Sequence, residues 1–477
     1  MSADNIDDDG AGSVSSEDEN RCVKLKLPEH IEAYIKKQEL HRDVEPSTCD
    51  STLLENVTAN YVIAKKIISN LTWQDKSLCK HVCSMWHSAV NSIKREQLWP
   101  TDFSVCMRMN SIEYGIKLLK SGNFYTEPLA VLVFTNRTAF IAATRCESLI
   151  FHPCEPACEK EHYLIDVIQR EVAAPKNCMV TVKGCFVSYL PLPQTSTYKN
   201  TIRHAMLLDP DPFLSGISIP AIPNVKFTVI NMASVNLIKE NFFDVVDKLA
   251  ETHYIKGALV FANDSYLLHS VEDIIFLNHF KNVQPNVPFA MGGCIVEDTI
   301  TDQADITHVI NGLNRGKDFI SRNLISIALF SVPRDMEQDQ NCNFDMFSLI
   351  LESSDWSKPK IQSCINKFSK SIPCFEHSVA IKFSCVGRDQ KHELEQQYFR
   401  AAFPNTRLIG CYGNGELGIN HPVRNDLTDP EEPPKALKIG AKRHRRDPGP
   451  QFGLMYSYST IFVYIGWGKI LSQPEST

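Results

Sequence analysis

No run of apolar residues in this 477-residue chain is long enough to span a bilayer. The longest, LISIALF and LAVLVF, fall far below the roughly 18 to 20 residues that a spanning helix needs, so no membrane partner is expected. An N-terminal apolar stretch of secretory type is also missing. The 16 cysteines show none of the paired spacing of a disulfide framework, which makes buried thiols in a reducing compartment, cytoplasmic and nuclear, the expectation. An excess of base is lacking too. Net charge is -7, and the first 20 residues hold seven acids (Asp4, Asp7, Asp8, Asp9, Glu17, Asp18, Glu19) and no base, so acids and bases balance over the rest. That balance argues against a strongly basic nucleic-acid-binding domain, and no direct nucleic-acid partner is expected. Nucleophile-elbow, Walker and HExxH patterns are absent, and no cofactor is expected.

What is present divides the chain. Residues 1–50 read as an acidic tail too poor in large apolar residues to offset its ordering entropy, followed by a short helix near Pro28 to Arg42. Ser15 and Ser16 precede an acidic run, a phosphorylation context or an inert solubilising tail. Residues 51–97 read as a small all-α module. Ile63, Ile67, Ile68 and Leu71 recur at helical spacing, and after a break at 70–75 a second pattern starts near Asp75 or Ser77 with Leu78, Val82, Met85, Trp86, Ala89 and Val90 on one face. A kink after Val82 would make three helices of the two. So small a bundle buries too little apolar surface to stand alone and should lean on a neighbour or partner. Beyond it, short β-rich runs alternate with helical stretches: LAVLVFT, MVTVKGCFVSYL, KFTVINMA, GALVFA, AMGG, LISIALFSV, SVAIKFSC, RLIGCYG and STIFVYIGW. Runs apolar throughout, such as ALVFA, suggest strands covered on both faces. The fold class expected is α+β, with a mixed α/β body in two halves, 104–320 and 321–472, and no clean internal repeat.

Gly413-Asn414-Gly415-Glu416-Leu417-Gly418 spells G-x-G-x-x-G after a strand-like run, but His421-Pro422 follows where a dinucleotide site requires a helix. A Rossmann reading therefore fails, and glycines this dense point to a tight turn. His152-Pro-Cys154-x3-Cys158-x3-His162 is the best metal candidate, since thiolate and imidazole suit zinc and Cys154, Cys158 and His162 would share one face of a helix. Pro156 and the unusual spacing argue against it, and no metal is expected. Lys442 to Arg446 is a basic cluster, either a nuclear import signal or a solvated insertion.

The order of the helical module, an Ile/Leu helix, a short loop, then Val82-Cys83-x-x-Trp86, resembles the F-box. Lys76 and Ser77 stand where that family often has apolar residues. Ser384-Cys385-Val386-Gly387-Arg388 followed by Gly410-Cys411-Tyr412-Gly413-Asn414-Gly415-Glu416-Leu417-Gly418 is similar to the C-terminal half of the FIST domain, named for F-box and intracellular signal transduction. The resemblance implies a non-catalytic substrate receptor: the module would bind Skp1, and through it cullin-1 and a RING subunit, while the body holds a protein substrate. Ile63, Ile67, Leu71, Leu78, Val82, Cys83 and Trp86 are the expected adaptor-facing or supporting residues. Bacterial FIST domains imply an alternative, a small-ligand pocket around Cys385, Gly387, Arg388, Gly413, Gly415 and Glu416. There Arg388 and Glu416 would face each other, as ligand fork or as structural ion pair. An enzyme of unrecognised class would depend on Cys385, Arg388 or Glu416.

Overall fold

In the computed structural model the described residues are 59–106, 118–145, 161–172, 174–175, 177–192, 212–233, 238–264, 271–301, 323–335, 343–352, 355–423 and 454–472. The expected tail, the Cys154–Cys158 pair and the Lys442–Arg446 cluster lie outside them. The first elements are three helices, α1 (Tyr61–Ser69), α2 (Trp73–Cys79) and α3 (Ser84–Glu96). Asn60 caps α1 by accepting from the backbone of Val62 and Ile63. Thr72 caps α2, its hydroxyl accepting from Asp75 N and donating to the Asp75 carboxylate. Of the two helix counts left open, the chain takes the larger, with its break after Val82. His81 N and Val82 N close tight turns onto Leu78 and Cys79, and Cys83 is fully extended before α3 begins. Leu78 and Trp86 therefore lie on different helices. Ala64, Ile68, Cys79, Ala89, Val90 and Ile93 form the module's core.

The body follows as three stretches of similar plan. The first holds β1 (Thr101–Cys106), β2 (Leu119–Lys120), β3 (Pro128–Thr135), α4 (Arg137–Ile141), β4 (Ala143–Arg145), β5 (Glu161–Tyr163), α5 (Leu164–Val172), β6 (Met179–Lys183), β7 (Phe186–Leu190) and β8 (Phe213–Pro220). The second holds β9 (Lys226–Met232), α6 (Asp244–Thr252), β10 (His253–Asn263), α7 (His279–Val283), β11 (Ala290–Val296), β12 (Asp298–Ile300) and β13 (Ile325–Pro333). The third holds β14 (Asn343–Leu351), α8 (Lys358–Ser371), β15 (Cys374–Cys385), α9 (His392–Ala402), β16 (Arg407–Gly413), β17 (Glu416–Ile419), β18 (Met455–Tyr456) and β19 (Thr460–Leu471). Val271–Asn278 form a 3₁₀ helix that runs into α7.

One strand order recurs in the three sheets: β6-β3-β8-β1, β11-β10-β13-β9 and β16-β15-β19-β14. In each, the first pair is parallel, as a helical crossover requires, and the remaining pairs are antiparallel. The strand after each crossover pair then leaves for another sheet. β7 joins β16, β12 joins β6 and β17 joins β11, so the exchange closes in a ring. Equivalent backbone bonds mark the register: Asn136 N to Phe213 O, Asn263 N to Leu324 O and Cys385 N to Ser459 O. Two positions before each lies Phe134, Phe261 or Phe383, and these rings meet one another at 5.7 to 6.4 Å between centroids. The body is thus threefold in plan, a repeat that periodicity did not reveal. Asp43–Thr477 forms one unit. β10 is covered on both faces as its apolar run predicts, Leu259 and Phe261 in one core and Ala258, Val260 and Ala262 in another.

Candidate functional site

At the end of the parallel β15–β16 pair, the third repeat gathers four fully buried ionisable side chains, Lys382, Arg388, Glu395 and Glu416. Lys382 sits at the position held by Val133 and Val260 in the first and second repeats, by the register of the parallel pairs. Cys385 takes the place of Asn136 and Asn263. Lys382 reaches Glu395 on α9 at 3.4 Å, and Arg388 Nε reaches the other oxygen of the same carboxylate at 2.7 Å, all three side chains fully buried. Thr460 donates to Glu395 at 2.8 Å, and Arg388 Nη1 donates to the Tyr458 carbonyl at 2.7 Å. His392 opens α9 beside them, its Nδ1 3.2 Å from Ser384 Oγ. Two sheets with the same connectivity are completed without this network, so the fold does not require it.

Glu416 completes the group from β17. Its Oε2 accepts from Ser459 N at 3.2 Å and from Ser459 Oγ at 2.7 Å. Burial pushes this carboxyl up to about 8, against the opposing pull of the Ser459 bonds and the Arg388 charge, so near neutrality it is mostly protonated. Burial lowers Lys382 to about 8, opposed by Glu395, and lowers His392 to about 2, with the Lys382 and Arg388 charges adding to the effect. At neutral pH one anion, Glu395, therefore faces two cations. Arg388 Nη2, His392 Nε2 and Glu416 Oε1 find no hydrogen-bond partner among the described residues. Unsatisfied donors around a cationic centre suit an anionic or polar small ligand.

Arg388 and Glu416 do come into one cluster, but not as a pair: the ion-pair partner of Arg388 is Glu395. That residue, Lys382, His392 and Ser459 were missed by sequence reasoning. A lysine inside the apolar run SVAIKFSC was the one available signal. Gly387 lies under the Tyr458 ring, which a Cβ there would strike at 2.8 Å, and Tyr458 itself has φ +55°. An added Cβ on Gly413 would collide with the Ile295 carbonyl. Gly415 lies against Ile295 and Met455. These glycines serve close packing of the exchanged strands. After Gly413 the chain enters β17, with no helix opening at Gly418, as the rejection of a dinucleotide site required. Burial raises the Cys385 thiol, Glu416 adding to the effect, which leaves it a weak nucleophile. His162 lies in β5, not on a helix, and among the described residues no group of three or more His, Cys, Asp or Glu gathers to hold a metal ion. No described helix is long and apolar enough to cross a membrane.

The second candidate is a surface. On α1, Ile63 and Ile67 lie one turn apart and are 41% and 44% exposed, with Val62 beside them at 73%. Val82, in the turn before α3, is 62% exposed, and Cys83 is exposed next to it. Leu71 and Trp86 instead lean on the module's own core, and Leu78 is half-buried. The expected set thus divides into exposed and core-packed residues, and Val62 belongs with the exposed ones.

No protein-family model matches the chain, and no curated protein matches it. Among solved structures it is similar to cyanuric acid hydrolase from A. caulinodans, at a TM-score of 0.29 and 5% identity, over 78% of this chain and 99% of that one. Likeness at that level carries no argument.

Proposed function

We propose that this chain is the substrate-recognition subunit of a Skp1-cullin-F-box ubiquitin ligase, its F-box lying in residues 51–97 and its FIST body in 104–472. The observation that carries the reading is the apolar face of α1, Val62, Ile63 and Ile67, left in solvent while Ala64 and Ile68 fill the module's core, with Val82 exposed separately in the turn before α3. Isolated apolar side chains on a surface need no explanation, but several on one small helical unit mark a docking face. Function would be bridging: Skp1 holds the module and brings cullin-1 and a RING subunit, the body holds a protein substrate, and a substrate lysine gains effective concentration near charged ubiquitin for proteasomal degradation. No residue of this chain performs the transfer. A cytoplasmic and nuclear site of action fits that role. Ile63→Glu and Ile67→Glu charge the exposed face of α1 without touching the module's core, and each should abolish co-purification with Skp1 and cullin-1 while the body stays folded. Retained association in both would end the proposal.

A second reading, sensing of a small ligand, is favoured by the Lys382–Arg388–Glu395–Glu416 cluster, which has no counterpart among the described residues of the two sister repeats. It predicts that free amino acids or small carboxylates raise the thermal midpoint of the full chain, and that Arg388→Gln removes the effect. No shift with any of these probes counts against it.

A further inference from the structure

Lys76 is the polar residue in α2 that the F-box resemblance leaves unexplained, and it is only 4% exposed. Its ammonium donates to Gln97 Oε1 at 2.6 Å and to the Tyr125 carbonyl at 2.7 Å, and it stands 5.3 Å from the centre of the Tyr125 ring. Gln97 ends α3, and its amide donates in turn to the Ser69 carbonyl at the end of α1. Tyr125 belongs to the body, in the segment that leads into β3. One ammonium therefore links α2, the ends of α1 and α3, and the first sheet. Around it Trp73 N donates to the Phe124 carbonyl at 3.3 Å, Lys94 pairs with Glu127, and Lys80 lies close to both. The joint between module and body thus carries a set of directional polar contacts, beside the apolar anchor of Leu98, which packs into the body's core.

Chemistry separates this arrangement from an ordinary packed joint. Apolar contacts have no preferred direction, so a greasy joint of the same area tolerates sliding. An ammonium held between two oxygens and a ring face has one good geometry, and burying it is costly unless that geometry is kept. Burial indeed pulls Lys76 down to about 8, a strain that a methionine filling the same space would not carry. A costly group at a joint is best accounted for by the register it enforces.

We propose that Lys76 is a positioning residue that fixes the angle between the helical module and the β-sheet body, making the chain one rigid bridge. The value of that rigidity rests on the receptor reading above, because a fixed span between adaptor face and substrate face sets how often a substrate lysine meets charged ubiquitin. The geometric role itself does not depend on that reading.

The test measures the span directly. Nitroxide labels on genetically encoded handles at Ser88 of α3 and Lys248 of α6, both exposed, report the module-to-body distance distribution in the full chain by double electron–electron resonance. Wild type should give one narrow peak at about pH 6 and lose it at about pH 10, where an amine that titrates near 8 has lost its charge. Lys80, Lys94, Glu127 and Tyr125 face the same joint, so the pH effect is assigned to Lys76 only if Lys76→Met removes it. That variant should show a broad or split distribution at both pH values, with its circular dichroism unchanged. A narrow peak in Lys76→Met, or a broad one in wild type at about pH 6, overturns the proposal; if that variant fails to fold, Gln97→Leu, which removes one of the two oxygens holding the ammonium, is read in its place, a broad distribution supporting the proposal and a narrow one overturning it. Skp1 capture by the same preparations separates the two ideas. A wild type that is rigid yet blind to Skp1 ends the receptor reading and leaves the joint standing.

Discussion

Replacing Glu395 by glutamine, against replacing Lys382 by methionine, puts the buried cluster of the third repeat to a sharp test. Glu395 holds Lys382, Arg388 and the Thr460 hydroxyl through its two oxygens. With Glu416 mostly protonated near neutrality, it is the anion that both cations face. Glu395→Gln leaves two buried cations without a counter-charge, which costs about 3 to 5 kcal/mol in comparable buried sites. Against a total stability of roughly 5 to 15 kcal/mol for a folded domain, the loss is severe. Lys382→Met has the opposite logic. It removes the surplus cation, leaves Arg388 and Glu395 as a neutral pair, and restores the apolar character that Val133 and Val260 give the sister repeats. The expected cost is about 1 kcal/mol or less, most of it from the lost bond to the His392 carbonyl. Urea titration followed by tryptophan fluorescence and circular dichroism reads both differences. The reasoning is refuted if the two variants are equally destabilised, or if Glu395→Gln lies within about 1 kcal/mol of wild type.

Glu416 gives a pH-dependent counterpart. Its folded value of about 8 lies above the ordinary 4.5, so the native state resists an ionisation that the unfolded chain accepts. Stability is fully present below about 4.5 and is withdrawn as pH rises through 8. Glu416→Gln cannot ionise, and its advantage over wild type should grow from near zero in acid to the order of a few kcal/mol in mild alkali; a pH-independent difference speaks against the assignment. His392 works in the opposite direction. Held at about 2, it stays neutral in the fold, so stability is lost as pH falls below 6.5, and His392→Phe should flatten that acid arm of a denaturation series. Phe261→Ala opens the threefold ring of phenylalanines and should cost about 3 to 5 kcal/mol in the same urea assay, a loss under about 1 kcal/mol arguing against a shared core.

The strands were legible in sequence because their signal is local. ALVFA and ISIALF are apolar almost throughout, and both lie in strands covered on two faces. The helical module was half legible. The stripe of α1 is plain, but the extended backbone at Cys83 leaves no mark in a periodicity that runs smoothly from Leu78 to Val90. The threefold plan was not legible, because it resides in connectivity and register. Phe134, Phe261 and Phe383 are equivalent, but their neighbours Val133, Val260 and Lys382 show how far the repeats have diverged. In the buried cluster, Arg388 and Glu416 were found through a motif. Glu395, the anion holding the cluster together, sits in an ordinary amphipathic helix pattern, ELEQQYF, where an acid reads as a solvated face. Lys76 was misleading for the same reason: a lysine in a short helix reads as surface, and only the Tyr125 carbonyl, far along the chain, shows it buried.

The central claim is that the exposed apolar face of the module receives Skp1. Its most direct test is titration of the purified full chain with purified Skp1 by calorimetry, for wild type and Ile67→Glu. A saturable one-to-one complex is expected for wild type, weakened more than roughly 30-fold by the charge because an apolar anchor is lost and a carboxylate would have to be desolvated. No heat of binding with wild type, or equal affinity in the variant, contradicts the account.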